Sequence, residues 1–380
     1  MLTMSQRAHG YRFQYHVPPT SSAASYTFAV NPSPRSRCSM YMPAKPPPTM
    51  MTSYSAVRAA SPDAEIVALA DINLDNAKAF QAEHGGENLY QDYHGMLAEE
   101  HLDIVSICTW PHLHAEMVIA AAEARVKAIH CEKPMAPTYG EALRMLRACD
   151  EHGVQLTFNH QRRFGAPFRK AKELLKAGAI GDLLRLEATC SNMFDWGTHW
   201  FDMLFFYNDE TPVEWVIGQI EPRGGKSIFG VPVEGQGISH FKYRNGVHGL
   251  MVTGYEAGWG ASNRLTGTEG VIEVGPSREV PLRVWAKGQA SWEEIELAEG
   301  LHGDDYVKLA ILDLIDALKT GREPELAGRK ALQTSELIFA TYESSRRRGR
   351  VDLPLEIEDS PFLSMLQSGE MSGDFPDIKW

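Results

Sequence analysis

The periodic part of the chain begins at Glu65. Ile66-Val67-Ala68-Leu69-Ala70 is a continuous apolar run closed by Asp71, the pattern of a strand buried on both faces of a parallel sheet. Asn73 follows in the position of a helix cap, and Ala77, Phe80 and Ala82 mark the helix it opens. The same alternation then repeats. Ile104 to Cys108 predicts a second buried strand, ended by Thr109-Trp110-Pro111 and followed by an alanine-rich helix from about His114 to Ala124. Val126 to Cys131 predicts a third, ended by Glu132-Lys133-Pro134. A helix from about Thr138 to His152 leads to a fourth, Gln155 to Asn159. Strands and helices alternating at this spacing imply a parallel sheet with right-handed crossovers.

The second half has a different rhythm. Leu183 to Cys190 alternates apolar and polar, as in a strand with one face on a core. Val213–Gln219, Gly237–Tyr243, Val247–Tyr255, Asn263–Gly267, Gly270–Val274 and Leu282–Trp285 are further strand-like segments separated by Gly or Asn turns. They imply a large, mainly antiparallel sheet. Tyr306–Thr320 and Arg329–Arg346 carry the apolar spacing of long helices. Pro361 to Trp380 reads as a loosely attached tail. No internal repeat is present.

Residues 1–50 do not fit either rhythm. Pro18-Pro19, Pro32, Pro34, Pro43 and Pro46-Pro47-Pro48 interrupt any periodic element, so an irregular, mobile leader is expected. Residues 1–62 hold six Arg and Lys and no acid, and no glycine lies between Gly10 and Gly85. The leader shares its Arg/Ser-rich, acid-free composition with transit peptides but lacks their sustained amphipathic pattern. The whole chain has 380 residues, of which 43% are hydrophobic and 23% charged, enough apolar material for sizeable cores and against wholesale disorder. Its net charge of −12 argues against general nucleic-acid binding. No apolar run of about 18 residues suggests a membrane span. Five cysteines, an odd count without C-x-x-C spacing, point to a reducing compartment, and a cytoplasmic protein is expected.

In open parallel sheets, ligands bind beyond the carboxyl ends of the strands. Here those ends are Asp71, Thr109-Trp110-Pro111, Glu132-Lys133-Pro134 and His160-Gln161-Arg162-Arg163. A strand-end acid such as Asp71 can accept both hydroxyls of an adenosine ribose; the plainer reading is an exposed strand end or a helix cap. Ile72 and Asn73, not a cation, follow it, which favours NAD over NADP. Lys133 can polarise a substrate oxygen and stabilise an alkoxide; alternatively it is a surface lysine paired with Glu132. Asp195-Trp196-Gly197-Thr198-His199 places His199 in the first turn of a helix if Thr198 opens one. A helix N-terminus disfavours the imidazolium, and Asp195 can fix the ring's tautomer; the competing reading is a histidine in a structural network. His112, His114, His130 and Cys131 lack a metal-ligand spacing, so no metal is expected. Arg346-Arg347-Arg348 and Arg350 read as completion of a helix dipole.

Taken together, these segments resemble the glucose–fructose oxidoreductase/inositol dehydrogenase (Gfo/Idh/MocA) family. The resemblance runs from about Pro62 to Pro354. It rests on Ala68-Leu69-Ala70-Asp71, Glu132-Lys133-Pro134, Gln161-Arg162-Arg163-Phe164, Asp195 to His199, Gly267 to Glu273, and Gly321-Arg322-Glu323-Pro324. It implies a Rossmann-like domain over residues 51–161 and an α+β substrate and oligomerisation domain over 162–355, with a 356–380 tail. The implied activity is NAD(P)-dependent hydride transfer at a secondary alcohol or ketone of a sugar, inositol or related polyol. By resemblance Lys133 is the catalytic lysine, His199 the proton-transfer residue and Asp195 its assistant. Asp71, Ile72, Thr109, Trp110, His114, Glu132 and Lys133 would line the NAD site, and Arg163, Lys133 and His199 the substrate. A homodimer or homotetramer through the open sheet face is implied as well.

The family pattern opens with a strand and a G-x-G-x-x-G loop about 20 residues before the ribose-binding acid. Residues 45–60 contain no glycine, and Pro46-Pro47-Pro48 stands where the strand is expected; Ser55 to Ala60 would be the tail of the first helix. Two accounts follow. Either the start is misread or frame-shifted, or the chain is a non-catalytic sugar-binding or assembly homologue that has lost dinucleotide binding. The first is favoured, because the pattern resumes abruptly and the downstream catalytic set is complete.

Overall fold

The computed structural model describes residues 26–30 and 36–41 as backbone, and 64–254, 262–277, 279–303, 305–373 and 375 in full. Chain order in the first half is β1 Tyr26–Val30, β2 Ser36–Tyr41, β3 Ala64–Asp71, α1 Leu74–His84, β4 Asn88–Tyr90, α2 Tyr93–Glu99, β5 Ile104–Ile107, α3 Pro111–Glu123, β6 Ala128–Cys131, α4 Tyr139–His152 and β7 Gln155–Phe158. Strands β4, β3, β5, β6 and β7 all run parallel in one sheet. The helices start where local chemistry lets them. Asn73 accepts from the Asp75 N–H at 3.2 Å, Thr138 accepts from the Glu141 N–H at 3.3 Å, and Pro111 opens α3. Gly153, at φ 69°, ends α4 in the left-handed conformation that its missing Cβ permits.

The gap between β3 and β5 is bridged by the N-terminal strands. β2 runs parallel to both neighbours, and β1 antiparallel to both. Irregular backbone was the expectation throughout residues 1–50, and these two strands correct it. A sheet interior leaves rows of N–H and C=O groups that must find partners, and Tyr26–Val30 and Ser36–Tyr41 supply them. The expected helix tail at 55–60 and the region of the missing glycine loop lie outside the described residues.

The second half continues with α5 Ala166–Lys176, β8 Leu183–Cys190, α6 Gly197–Tyr207, β9 Val213–Glu221, β10 Lys226–Ile228, β11 Val231–Val233, β12 Gln236–Tyr243, β13 His248–Gly254, β14 Asn263–Gly267, β15 Gly270–Val274, β16 Leu282–Ala286, β17 Glu293–Glu294, α7 Tyr306–Thr320, α8 Gly328–Arg347, β18 Val351–Asp352 and α9 Pro361–Gln367. Nine strands form one sheet in the order β17-β16-β15-β14-β8-β13-β12-β9-β18. Every pairing is antiparallel except β8 with β13. One face carries α8: the Ser344 hydroxyl accepts from the Gly218 N–H at 2.8 Å, and a Cβ on Gly218 would stand 2.5 Å from Thr341. The opposite face leaves Ile217, Ile238 and Val252 exposed.

Two departures from the sequence reading concern the C-terminal third. Helix α7 joins the first core, through Val307, Ile311, Leu314 and Ile315. The sequence boundary at residue 161 is therefore not a spatial one. The described part of the tail is not loosely attached either. Phe362 and Met365 of α9 are buried, the Phe362 ring lies 5.6 Å from Tyr342, and Gly140 donates its N–H to the Glu358 carbonyl at 2.8 Å. Two side chains of this size bury enough apolar surface for about 1.5–3 kcal/mol each, which outweighs the disorder expected of a terminus.

Candidate active site

Loops at the carboxyl ends of β5, β6 and β7 lie side by side, and β3 ends on the same edge beyond β2, because parallel strands put all such ends on one edge. Asp71 ends β3. Its carboxylate accepts from the Asn73 N–H at 2.5 Å and the Asn76 side-chain amide at 3.2 Å, while Ile72 is half exposed. After β5, Thr109 is buried and Trp110 reaches the tip between β10 and β11, where a Cβ on Gly230 would stand 3.7 Å from its ring. His114 is fully enclosed. Its Nδ1 faces the Pro134 and Met135 carbonyls at 2.9 and 3.1 Å, and its Nε2 faces the Thr109 carbonyl at 3.1 Å. It ties the loop after β5 to the loop after β6 from behind. Burial pushes its pKa down to about 4. Glu132, at the end of β6, accepts from the Asn159 amide at 2.7 Å, and burial raises its pKa.

The end of β7 runs into a short 3-10 turn, Gln161–Phe164, which sends its two arginines in different directions. Arg163 was expected to face substrate; the structure corrects this. It is fully buried, with Nε and Nη2 donating to the two Asp202 carboxylate oxygens at 2.8 Å each, and Nη1 donating to Glu210 at 2.5 Å and Glu325 at 3.2 Å. Burial pushes the Asp202 carboxyl up, but the fields of Arg163 and His160 more than reverse this and hold it well below the usual range. Arg163 thus fastens the turn to α6. Arg162 points the other way, over the ring of Trp200 at 4.4 Å and that of Trp196 at 5.6 Å. His160, before the turn, contacts the Thr198 hydroxyl through Nε2 at 3.0 Å and Asp202 through Nδ1 at 3.4 Å.

The stretch before α6 is held by a buried acid. Glu234 accepts from the Met193 N–H at 2.5 Å, the Thr253 hydroxyl at 3.0 Å and the Tyr342 hydroxyl at 2.8 Å. Gly197 then opens α6 against the chain itself: its N–H donates to the Asn192 carbonyl at 2.8 Å, and a Cβ there would stand 2.8 Å from the same oxygen. This tight turn sets His199 in the first turn of the helix. Asp195 does not fix the His199 tautomer, as the sequence suggested. It takes the Lys133 ammonium instead, Nζ to Oδ1 at 2.5 Å, across 62 positions of sequence. Neither His199 nitrogen has a hydrogen-bond partner among the described residues, and Nδ1 is fully buried. Burial, then the charges of Lys133 and Arg162, hold its pKa well below the ordinary histidine value. His199 is therefore a neutral imidazole at pH 7, beside a lysine whose position a carboxylate sets.

The structure thus gathers Lys133, Asp195 and His199 into one cluster, with Thr109, Trp110 and Glu132 on the neighbouring strand ends. Sequence reasoning missed His160, Arg162, His302 and Glu234. The first two lie inside the strand-end segment it had marked, but adjacency could not tell which arginine faces inward. His302, whose ring meets Trp196 edge-on at 6.3 Å, carries no local pattern that would have found it.

A parallel sheet with crossover helices defines a Rossmann-type domain. A family profile described as "Oxidoreductase family, NAD-binding Rossmann fold" (GFO_IDH_MocA) matches residues 50–160. The chain is 27% identical over 346 residues to D-apiose dehydrogenase of Paraburkholderia graminis, covering 80% of this chain and 88% of that protein. It is 24% identical to myo-inositol 2-dehydrogenase of Thermotoga maritima, covering 77% and 92%. An oxidoreductase from Agrobacterium radiobacter, solved with NAD+, L-tartaric acid and magnesium, shares the fold with a TM-score of 0.67 at 21% identity, covering 80% of this chain and 95% of that one. Residues 50–160 thus carry the NAD-binding Rossmann fold of the Gfo/Idh/MocA oxidoreductases, and over most of its length the chain is similar to dehydrogenases of sugars and inositol. No helix among the described residues is long and apolar enough to cross a membrane.

Proposed function

We propose that the protein is an NAD-dependent dehydrogenase acting on a secondary alcohol of a sugar, inositol or related polyol. The observation that carries this is the neutral, unpartnered His199 beside a carboxylate-held Lys133. His199 takes the substrate hydroxyl proton, which a neutral imidazole with free nitrogens can accept. Lys133 hydrogen-bonds the same oxygen and stabilises the developing alkoxide, and Asp195 keeps its ammonium in place. His160 supports the start of α6 through Thr198.

The strand-end residues support binding of a dinucleotide. Thr109, Trp110 and Glu132 would flank its nicotinamide half, and Asp71 with Ile72 its adenosine ribose. NAD, when bound, supplies the hydride acceptor. The Asp71 carboxylate favours a ribose hydroxyl over a 2′-phosphate, and no cation follows it. His114 acts from behind the two loops. The exposed Ile217, Ile238 and Val252 support pairing of the open sheet face with a second copy, as a homodimer or homotetramer. Cys131, Cys149 and Cys190 are buried thiols outside any disulfide, which supports a cytoplasmic protein.

Turnover of a panel of sugars and inositols with NAD and NADP tests the assignment. Lys133→Ala and His199→Asn should each lower kcat by roughly 100- to 10,000-fold on the substrate found. Wild-type turnover by both variants would overturn it.

A further inference from the structure

Glu234 stands at the junction of β11 and β12 and is 1% exposed. The backbone beside it is tightly seated: the Gly235 N–H donates to the Glu221 carbonyl at 2.9 Å, and a Cβ on Gly235 would stand 2.0 Å from the Arg223 carbonyl oxygen. Three elements send donors to the Glu234 carboxylate. β13 sends the Thr253 hydroxyl, α8 the Tyr342 hydroxyl, and the segment before α6 the Met193 N–H, at 3.0, 2.8 and 2.5 Å. All three donors are neutral groups. An enclosed carboxylate without a cation is costly, and burial raises its pKa to about 7. Stability alone does not call for an acid at this place.

The three donors are not equivalent. A hydroxyl can turn round and accept when the carboxyl takes up a proton, whereas a backbone N–H only donates. The bond to Met193 therefore persists in both protonation states. The Met193 side chain is seated as well: it is buried, and a Cβ on Gly237 would stand 2.7 Å from its Cε. From Met193 the constraint runs into the reacting cluster. The Asn192 carbonyl accepts from the Gly197 N–H at 2.8 Å, and the Asn192 Oδ1 accepts from the Asp195 N–H at 2.7 Å. Asp195 then holds the Lys133 ammonium twice, through Oδ1 at 2.5 Å and through its own backbone carbonyl at 3.4 Å. The second contact makes the place of Lys133 depend on where the Asp195 backbone runs.

We infer that Glu234 is a positioning residue for Lys133: by holding the Met193 N–H it fixes, through Asn192 and Asp195, where the ammonium stands. This rests on the dehydrogenase reading above. Glu234 acts through the loop and not on the substrate. A misplacement of about 1 Å at a reacting group costs roughly 100-fold in rate, so a single backbone hydrogen bond at this distance from the chemistry matters. Asp71, Thr109 and Trp110 lie outside this series of bonds. The loss therefore falls on kcat and leaves KM for NAD unchanged.

The test compares full-length wild type, Glu234→Ala, Glu234→Gln and Asn192→Ala, well below the melting temperature of each. Steady-state turnover is read on the polyol and cofactor that wild type uses best. Glu234→Ala should lower kcat about 10- to 100-fold with KM for NAD unchanged. Glu234→Gln still accepts from Met193 and can donate to the Tyr342 hydroxyl, so it should stay within about 3-fold of wild type. Asn192→Ala cuts the next link and leaves Glu234 in place. It should match Glu234→Ala, and it carries the test if that variant does not fold. A second readout needs no turnover: reductive methylation of Lys133 with formaldehyde and cyanoborohydride, located by peptide mass spectrometry. Its rate should rise about 10-fold in Glu234→Ala and Asn192→Ala and not in Glu234→Gln, the worth of one charge-assisted hydrogen bond. That pattern in a protein that turns over no polyol would support the positioning of Lys133 and count against the dehydrogenase reading alone. Wild-type kcat and labelling in Glu234→Ala, with only its melting temperature lowered, would make Glu234 a purely structural residue and overturn the inference. Equal losses in Glu234→Ala and Glu234→Gln would overturn it too, because the charge and not the bond to Met193 would then matter.

Discussion

Replacing Arg163 by Met should cost this protein a large share of its stability. The side chains of Arg163 and Asp202 are each 1% exposed, and the two are joined by two hydrogen bonds of 2.8 Å. Glu210 at 2.5 Å and Glu325 at 3.2 Å share the same guanidinium, and they are 18% and 32% exposed. Methionine would leave the Asp202 carboxylate enclosed with only His160 beside it, at 3.4 Å. Removing one partner of a buried pair costs about 3–5 kcal/mol, because the remaining charge keeps its desolvation penalty. Each kcal/mol lowers the melting temperature by about 2–4 °C for a unit of 150–250 residues, so a fall of roughly 6–20 °C is expected. Thermal and urea unfolding followed by circular dichroism measure it. Adding Asp202→Asn removes the stranded charge, so the double variant should recover most of the loss. A melting temperature within about 2 °C of wild type, or a double variant no more stable than the single one, would refute the reasoning. The neighbouring Arg162→Met removes a cation with no carboxylate partner and should cost far less.

Glu234 gives the protein a pH-dependent term of known sign. Burial raises its pKa to about 7, above its ordinary 4.5, so the folded state holds a proton there that the unfolded state has released. Its contribution is fully present below about 4.5 and is lost as pH rises through 7. Glu234→Gln keeps an acceptor for the Met193 N–H and cannot ionise; relative to wild type it should gain about 2–3 kcal/mol between pH 4.5 and 8. Urea unfolding at the two pH values checks this, and a difference that does not change with pH would contradict it. Gly197→Ala puts a Cβ 2.8 Å from the Asn192 carbonyl. The start of α6 must then shift, costing about 1–3 kcal/mol and lowering kcat through His199; unchanged melting and turnover would show that the turn is slack.

The core of the architecture was legible because its signals are local. Apolar runs of strand length closed by polar residues located β3, β5, β6 and β7, and cap residues such as Asn73 and Thr138 located the helices between them. Chain direction then fixed which loops share an edge, so Lys133 and the strand ends around it could be named from sequence alone. His199 was legible for the same reason, since a helix start is a local event. Contacts that decide a side chain's partner are not local. Asp195 could serve His199 or Lys133 by sequence, and only packing across 62 positions gives it to the lysine. Helix α7 has the periodicity of any amphipathic helix; its apolar stripe does not say that it faces the first core. The tail carries too few apolar residues to form a recognisable pattern, yet Phe362 and Met365 find a buried surface. The sequence by itself determined the order of elements and the class of chemistry at their ends. The tertiary structure decided which of two adjacent arginines is saturated by carboxylates and which lies against aromatic rings. Alternation within a tight turn sends neighbours opposite ways, and only the position of Asp202 shows which way is inward.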